Sequence, residues 1–100
     1  MRLPWREKAV NALGEIGSPE AVAALFQALN HEDYNVREKA VNALGEIGSS
    51  EAVAALIQAL NDEDSDMRWE AVNALGKIGS PEAVSALIQA LNDEYSRVRW

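Results

Sequence analysis

Apolar residues recur along this chain at helical spacing. In Val36 to Ile47, VREKAVNALGEI, a turn of about 100° per residue gathers Val36, Ala40, Ala43, Leu44 and Ile47 on one arc, with Glu38, Lys39, Asn42 and Glu46 opposite. The pattern predicts an amphipathic helix. Gly45 falls about 180° from Val36, where a missing side chain lets a neighbouring helix approach and offsets a propensity cost of about 1 kcal/mol. Gly48 is placed to end the helix in the left-handed region, and Ser49 follows at once as the cap of the next one. The flanking joints read Gly17-Ser18-Pro19-Glu20 and Gly79-Ser80-Pro81-Glu82, with proline in the first helical position and an acid in the first turn. A second helix is then expected over Glu51 to Leu60, with Val53, Leu56, Ile57 and Leu60 inward and Ala54, Ala55 and Gln58 outward. Two helices on so short a joint make an antiparallel hairpin.

That hairpin is written three times. Ala9 to Leu29 reads AVNALGEIGSPEAVAALFQAL, Ala40 to Leu60 reads AVNALGEIGSSEAVAALIQAL and Ala71 to Leu91 reads AVNALGKIGSPEAVSALIQAL, at a spacing of 31 residues (40 − 9 and 71 − 40). A fixed period of this length marks a stacked array. The expected fold is all-α: one domain spanning 1–100, an α-solenoid of stacked antiparallel hairpins, about six helices plus a C-terminal stub. The connectors Asn30-His31-Glu32-Asp33, Asn61-Asp62-Glu63-Asp64 and Asn92-Asp93-Glu94-Tyr95 are polar, and their asparagines are expected to cap in the left-handed region. Asp33 and Asp64 lie four residues before Arg37 and Arg68, which suggests an Asp to Arg ladder.

Composition narrows the function mainly by exclusion. Nine basic against sixteen acidic residues give a formal charge of −7, the wrong sign for phosphate backbones or anionic lipid, so neither nucleic acid nor membrane is an expected partner. With no cysteine, the chain has no disulfide, thiolate nucleophile or cysteine metal site. Neither a leader pattern nor a long apolar run occurs, and a cytoplasmic protein is the default expectation.

No motif specifies a reaction. Asp62, Asp64 and Asp66 have the opening spacing of a calcium loop, yet Met67 stands where the sharp turn needs glycine and Asn73 where a bidentate glutamate belongs. The glycines of Gly14-Glu15-Ile16-Gly17 end a helix, whereas a phosphate cradle precedes one. His31, the single histidine, lies in a polar connector and reads as solvated. The chain is therefore expected to be neither an enzyme nor a cofactor carrier.

The repeat D-x-x-V-R-x-x-A-V-x-A-L-G-x-I-G-S-x-E-A-V-x-A-L-I-x-A-L, carried by VREKAVNALGEIG and EAVAALIQAL over nearly the whole chain, resembles the HEAT-like repeats of the phycobilisome-lyase type and the engineered helical scaffolds built on that pattern. The resemblance implies a superhelix in which the Val-Arg helix lines a concave, partner-facing side. Carried onto this sequence, the variable partner-facing positions are Glu7, Lys8, Asn11 and Glu15, then Glu38, Lys39, Asn42 and Glu46, then Trp69, Glu70, Asn73 and Lys77. Trp69 is the departure, an aromatic where the other repeats have Glu7 and Glu38, and it reads equally as a partner anchor or as cover for a neighbouring helix. The implied function is a non-catalytic scaffold binding a protein or peptide on its concave face. By analogy alone, the alternative is a subunit of a bilin lyase.

The ends also stand out. The chain opens on a Val-Arg-type helix, with Trp5 in the place of Val36 and Met67, and closes on Ser96-Arg97-Val98-Arg99-Trp100, the opening turn of a fourth such helix. Unpaired repeat faces expose apolar surface. The expectation is an excerpt of a longer array, or homo-oligomers joined head to tail or by domain swapping, with Trp5, Val98 and Trp100 at the contact.

Overall fold

The structure, a computed structural model, describes residues 5–92. Six α-helices follow in order: α1 (Trp5–Ile16), α2 (Pro19–Ala28), α3 (Tyr34–Ile47), α4 (Ser50–Ala59), α5 (Ser65–Ile78) and α6 (Pro81–Asn92). The solenoid of hairpins is as the repeat implies. The expected C-terminal stub lies outside the described residues.

Each hairpin joint is fixed by two residues acting in opposite senses. Gly48 takes φ +65°, and its N–H donates to the Leu44 carbonyl at 3.0 Å, closing α3. Ser49 then turns extended, and its Oγ accepts from the Ala52 N–H at 3.2 Å, opening α4. Ser18 and Ser80 make the same bond to Ala21 and Ala83.

The connectors close differently from the expectation. Asn30 and Asn61 do not enter the left-handed region; among the described residues every positive φ belongs to glycine. The helices instead run out through tight right-handed turns, Leu29 to Phe26 and Asn30 to Gln27, and likewise Leu60 to Ile57 and Asn61 to Gln58. An arginine then pins each connector. Arg37 Nη1 donates to the carbonyls of His31 and Glu32 at 2.8 and 3.1 Å, and Arg68 Nη1 to those of Asp62 and Glu63 at 2.6 and 2.9 Å. Connector carbonyls that lie beyond the helices thereby gain a charged donor. The aspartates four residues earlier act as N-caps, Asp33 for Asn35 and Asp64 for Asp66. One ladder contact runs onward to the next repeat, Arg37 to Asp64 at 3.5 Å.

The helices form two layers, α1, α3 and α5 in one and α2, α4 and α6 in the other. Packing within them is unequal. In the odd layer Gly14 and Gly45 leave room for the next helix. A Cβ on Gly14 would stand 2.9 Å from the Ala43 Cβ, and one on Gly45 3.1 Å from the Ala74 Cβ. The backbones thus meet almost directly, as the position of Gly45 predicted. The even layer has no such contact and stands further apart. A stack tighter on one side curves toward that side, which makes α1, α3 and α5 the inner layer.

The core lies between the layers. Leu25, Leu44, Leu56, Met67, Leu75 and Val41 are fully buried. One inward and outward assignment needs correction: Ala55, expected outward, is buried, as are Ala52 and Ala59. Of the even helices α4 lies between α2 and α6, and its Ala55 is covered by the preceding repeat. Ala24, the same position in the first repeat, is exposed.

Leu44→Ala should lower the unfolding free energy by about 2–5 kcal/mol in chemical denaturation, because a side chain enclosed on all sides leaves a cavity. Gly14→Ala and Gly76→Ala should move in opposite directions. The first forces α1 from α3 and should cost ~1–2 kcal/mol net. The second meets nothing within 4 Å among the described residues and should gain ~0.5–1 kcal/mol from helix propensity.

Candidate functional site

The inner layer presents the residues that the sequence pattern set aside as an outward stripe. Between α3 and α5 they line a shallow groove of about 430 Å³, formed by Asn42, Gly45, Glu46, Glu70, Asn73, Ala74, Gly76 and Lys77. Its floor is the glycine contact itself: Gly45 and Ala74 carry so little side chain that the longer residues beside them stand as walls. Asn11, Asn42 and Asn73 occupy the same place in successive repeats and are all exposed. Each offers a donor and an acceptor that nothing in the fold consumes by necessity.

The remaining predicted positions divide by exposure. Lys8, Glu15, Glu46 and Lys77 are exposed, whereas Glu7, Glu38, Lys39 and Glu70 are half-buried where helices adjoin. Trp69 is 50% exposed. Roughly half its surface therefore covers the protein and half stays open, which leaves a large apolar surface beside the acidic end of the face.

The acidic end has an organisation that the helical wheel did not reveal. Glu38 of α3 and Glu70 of α5 bring their carboxyls together across the two helices. The Glu70 carboxyl is raised above the ordinary range, first by burial, then by that contact and by the charges of Glu38 and Asp66, with Lys77 opposing. Tyr34 is raised too, again chiefly by burial, with Glu38, Glu70, Asp66 and Asp64 adding to it. The Arg37 guanidinium lies 5.3 Å from the centre of the Tyr34 ring. Tyr34 and the carboxyl pair went unnoticed because position 70 repeats position 39, not 38, so their meeting depends on how α5 is offset along α3.

His31 has a structural part: its Nδ1 accepts from the Asp33 N–H at 3.0 Å, as Asp62 Oδ1 does from Asp64 N–H at 2.8 Å one repeat later. Among the described residues no group of three or more His, Asp or Glu side chains is arranged to hold a metal ion. Nor is any described helix long and apolar enough to cross a membrane. On the outer layer lies a surface that the sequence pattern did not single out, an open apolar groove of about 310 Å³ between α2 and α4. Pro19, Val22, Ala23 and Phe26 face Ala54 and Ala55 across it. Its signal was the smallness of the outward residues Ala23 and Ala54. Of the expected contact residues at the ends, Trp5 is exposed, while Val98 and Trp100 lie outside the described residues.

Folding raises the affinity of Glu70 for its proton. Its contribution to stability is therefore fully present below the ordinary carboxylate range and is lost as pH rises through the raised value. Glu70→Gln, which keeps the shape without the charge, should stabilise the protein at neutral pH and flatten the acid limb of its stability profile. Denaturant melts of both proteins across the acid range check this, and a less stable Glu70→Gln at neutral pH would contradict it.

The two-layer stack, the paired caps at every joint and the arginine-pinned connectors agree with comparison to known families. The profile for HEAT repeats matches residues 5–60 and again residues 23–100. It matches HEAT repeats as a class and does not select the phycobilisome-lyase type. No curated protein matches the chain. HEAT repeats typically mediate protein–protein interaction, and the fold is generally a non-catalytic scaffold. With matched segments that together run from Trp5 to the end of the sequence, this chain belongs to the HEAT-repeat family.

Proposed function

We propose that the protein is a non-catalytic interaction scaffold that takes a protein or peptide on the inner face of its stack. The observation that carries this reading is the groove between α3 and α5, where Asn42, Asn73, Glu46 and Lys77 surround a floor of glycine and alanine. A floor without side chains admits an extended segment close to the backbone. The asparagines recurring above it are suited to a peptide main chain, which presents alternating donors and acceptors. Trp69 supplies the apolar anchor, since large aromatics at the centre of a contact contribute most of its energy. The crowded carboxylates Glu38, Glu70 and Asp66, on a chain of net charge −7, favour a partner with a basic side chain at that end. Glu7 and Asn11 extend the same face onto α1, and Lys39 flanks it on α3.

The reading is tested by selecting binders from a displayed peptide library and measuring them by calorimetry against variants of the face. Trp69→Ala should weaken them about tenfold or more, and the double variant Asn42→Ala with Asn73→Ala should also weaken them, the double variant with thermal stability nearly unchanged because both asparagines are exposed. Binders that ignore these substitutions, yet are lost on Ala54→Arg in the outer groove, would move the function to the other layer.

A further inference from the structure

The odd helices carry one short polar motif on the inner face, and its charges change order once. Lys8 and Glu15 on α1 stand at the positions of Lys39 and Glu46 on α3, each pair with an asparagine between them. On α5 the asparagine stays and the charges exchange, with Glu70 where the lysines are and Lys77 where the glutamates are. Glu70 and Lys77 are two helical turns apart, about 10 Å, and both line the groove between α3 and α5. Both walls of that groove are described helices. The exchange does not serve the packing of α5 on α3. Among the described residues neither Glu70 nor Lys77 forms an ion pair with Lys39 or Glu46, and Glu70 meets the carboxyl of Glu38 instead. Burial first, then Glu38 and Asp66, hold the Glu70 carboxyl above its ordinary range. A lysine there, as in the other two repeats, would face those carboxylates with the opposite charge. The glutamate is thus kept against the preference of the fold, and departures of that kind fall where a surface has another task.

We propose, on the reading of the inner face as the binding surface, that Glu70 and Lys77 set the charge order of the bound segment. The segment carries a basic side chain at the Glu70 end of the groove and an acidic one at the Lys77 end, the reverse of the order that α1 and α3 select. An extended chain rises about 3.3 Å per residue, so the two charged residues of the segment are about three apart. Glu46, on the α3 wall, repels the acidic one and directs it toward Lys77. The exchange also fixes register. On an array of like repeats a segment that fits one helix fits the next equally well, whereas here a shift from α5 to α3 sets like charges together.

Charges exchanged on both sides of the contact test this. Glu70→Lys with Lys77→Glu leaves the net charge at −7 and should fold with unchanged or higher thermal stability. Random peptides displayed on phage are selected on the unmodified protein, and the enriched sequences are synthesised and titrated by calorimetry. They should carry a basic and an acidic residue about three apart, and the exchanged protein should bind them about tenfold more weakly or worse. Exchanging the two charged residues within the peptide should restore binding to the exchanged protein and weaken binding to the unmodified one. Three results would overturn the proposal. Peptides indifferent to the exchange but lost on Asn42→Ala with Asn73→Ala leave the inner face as the site and refute the charge order alone. A loss that the exchanged peptide does not recover assigns Glu70 and Lys77 a structural part. Peptides indifferent to every change on the inner face, or lost on Ala54→Arg, refute the inner face and the charge order together.

Discussion

The direct meeting of backbones at Gly14 with Ala43 and at Gly45 with Ala74 is the contact on which the rest of the architecture depends. Helices faced with larger side chains would sit further apart, and with both layers equally spaced the stack would be straight. Here the odd helices are drawn together while the even helices keep the spacing that valine, leucine and phenylalanine impose. Curvature follows, and so do the two grooves. The inner one is shallow and polar, floored by the small residues that allow the approach; the outer one is apolar, open where the even helices diverge.

Local chemistry holds each hairpin at the angle that this packing needs. Gly48 and Ser49 reverse the chain within two residues, satisfying a carbonyl at the end of α3 and an amide at the start of α4. Between hairpins, Arg37 and Arg68 gather the connector carbonyls, and the inter-repeat ion pair of Arg37 with Asp64 is a minor addition, since partly exposed pairs contribute about 0–1 kcal/mol. Burial of Arg68 fits this role, because a guanidinium withdrawn from water needs its donors engaged.

Much of this was legible in the sequence because it depends on residues near one another in the chain or on the period of 31. The hairpins, the Gly-Ser joints, the buried stripe of Val36, Ala40 and Leu44 and the close approach at Gly45 are all of that kind. What escaped depends on how one repeat is offset against the next. Ala55 is buried by the preceding hairpin, which a single helical wheel does not contain. The aspartate that Arg37 pairs with belongs to the following repeat, and Glu38 finds Glu70 only because α5 is displaced along α3. Asn30 and Asn61 have the chemistry for left-handed caps, but the arginine-bound connectors leave the helix through right-handed turns. The candidate face shows the same division: its outward residues were readable from periodicity, its carboxyl pair and its depth were not.

The central claim, that glycine contacts make the odd layer the tighter one, is tested most directly by distances across the array. Spin labels placed at Asn11 and Asn73 report two steps of the inner layer, and labels at Gln27 and Gln89 report two steps of the outer one; all four positions are exposed. Pulsed dipolar measurements should give a clearly shorter distance for the inner pair than for the outer. Equal distances would mean a straight stack and would contradict the account.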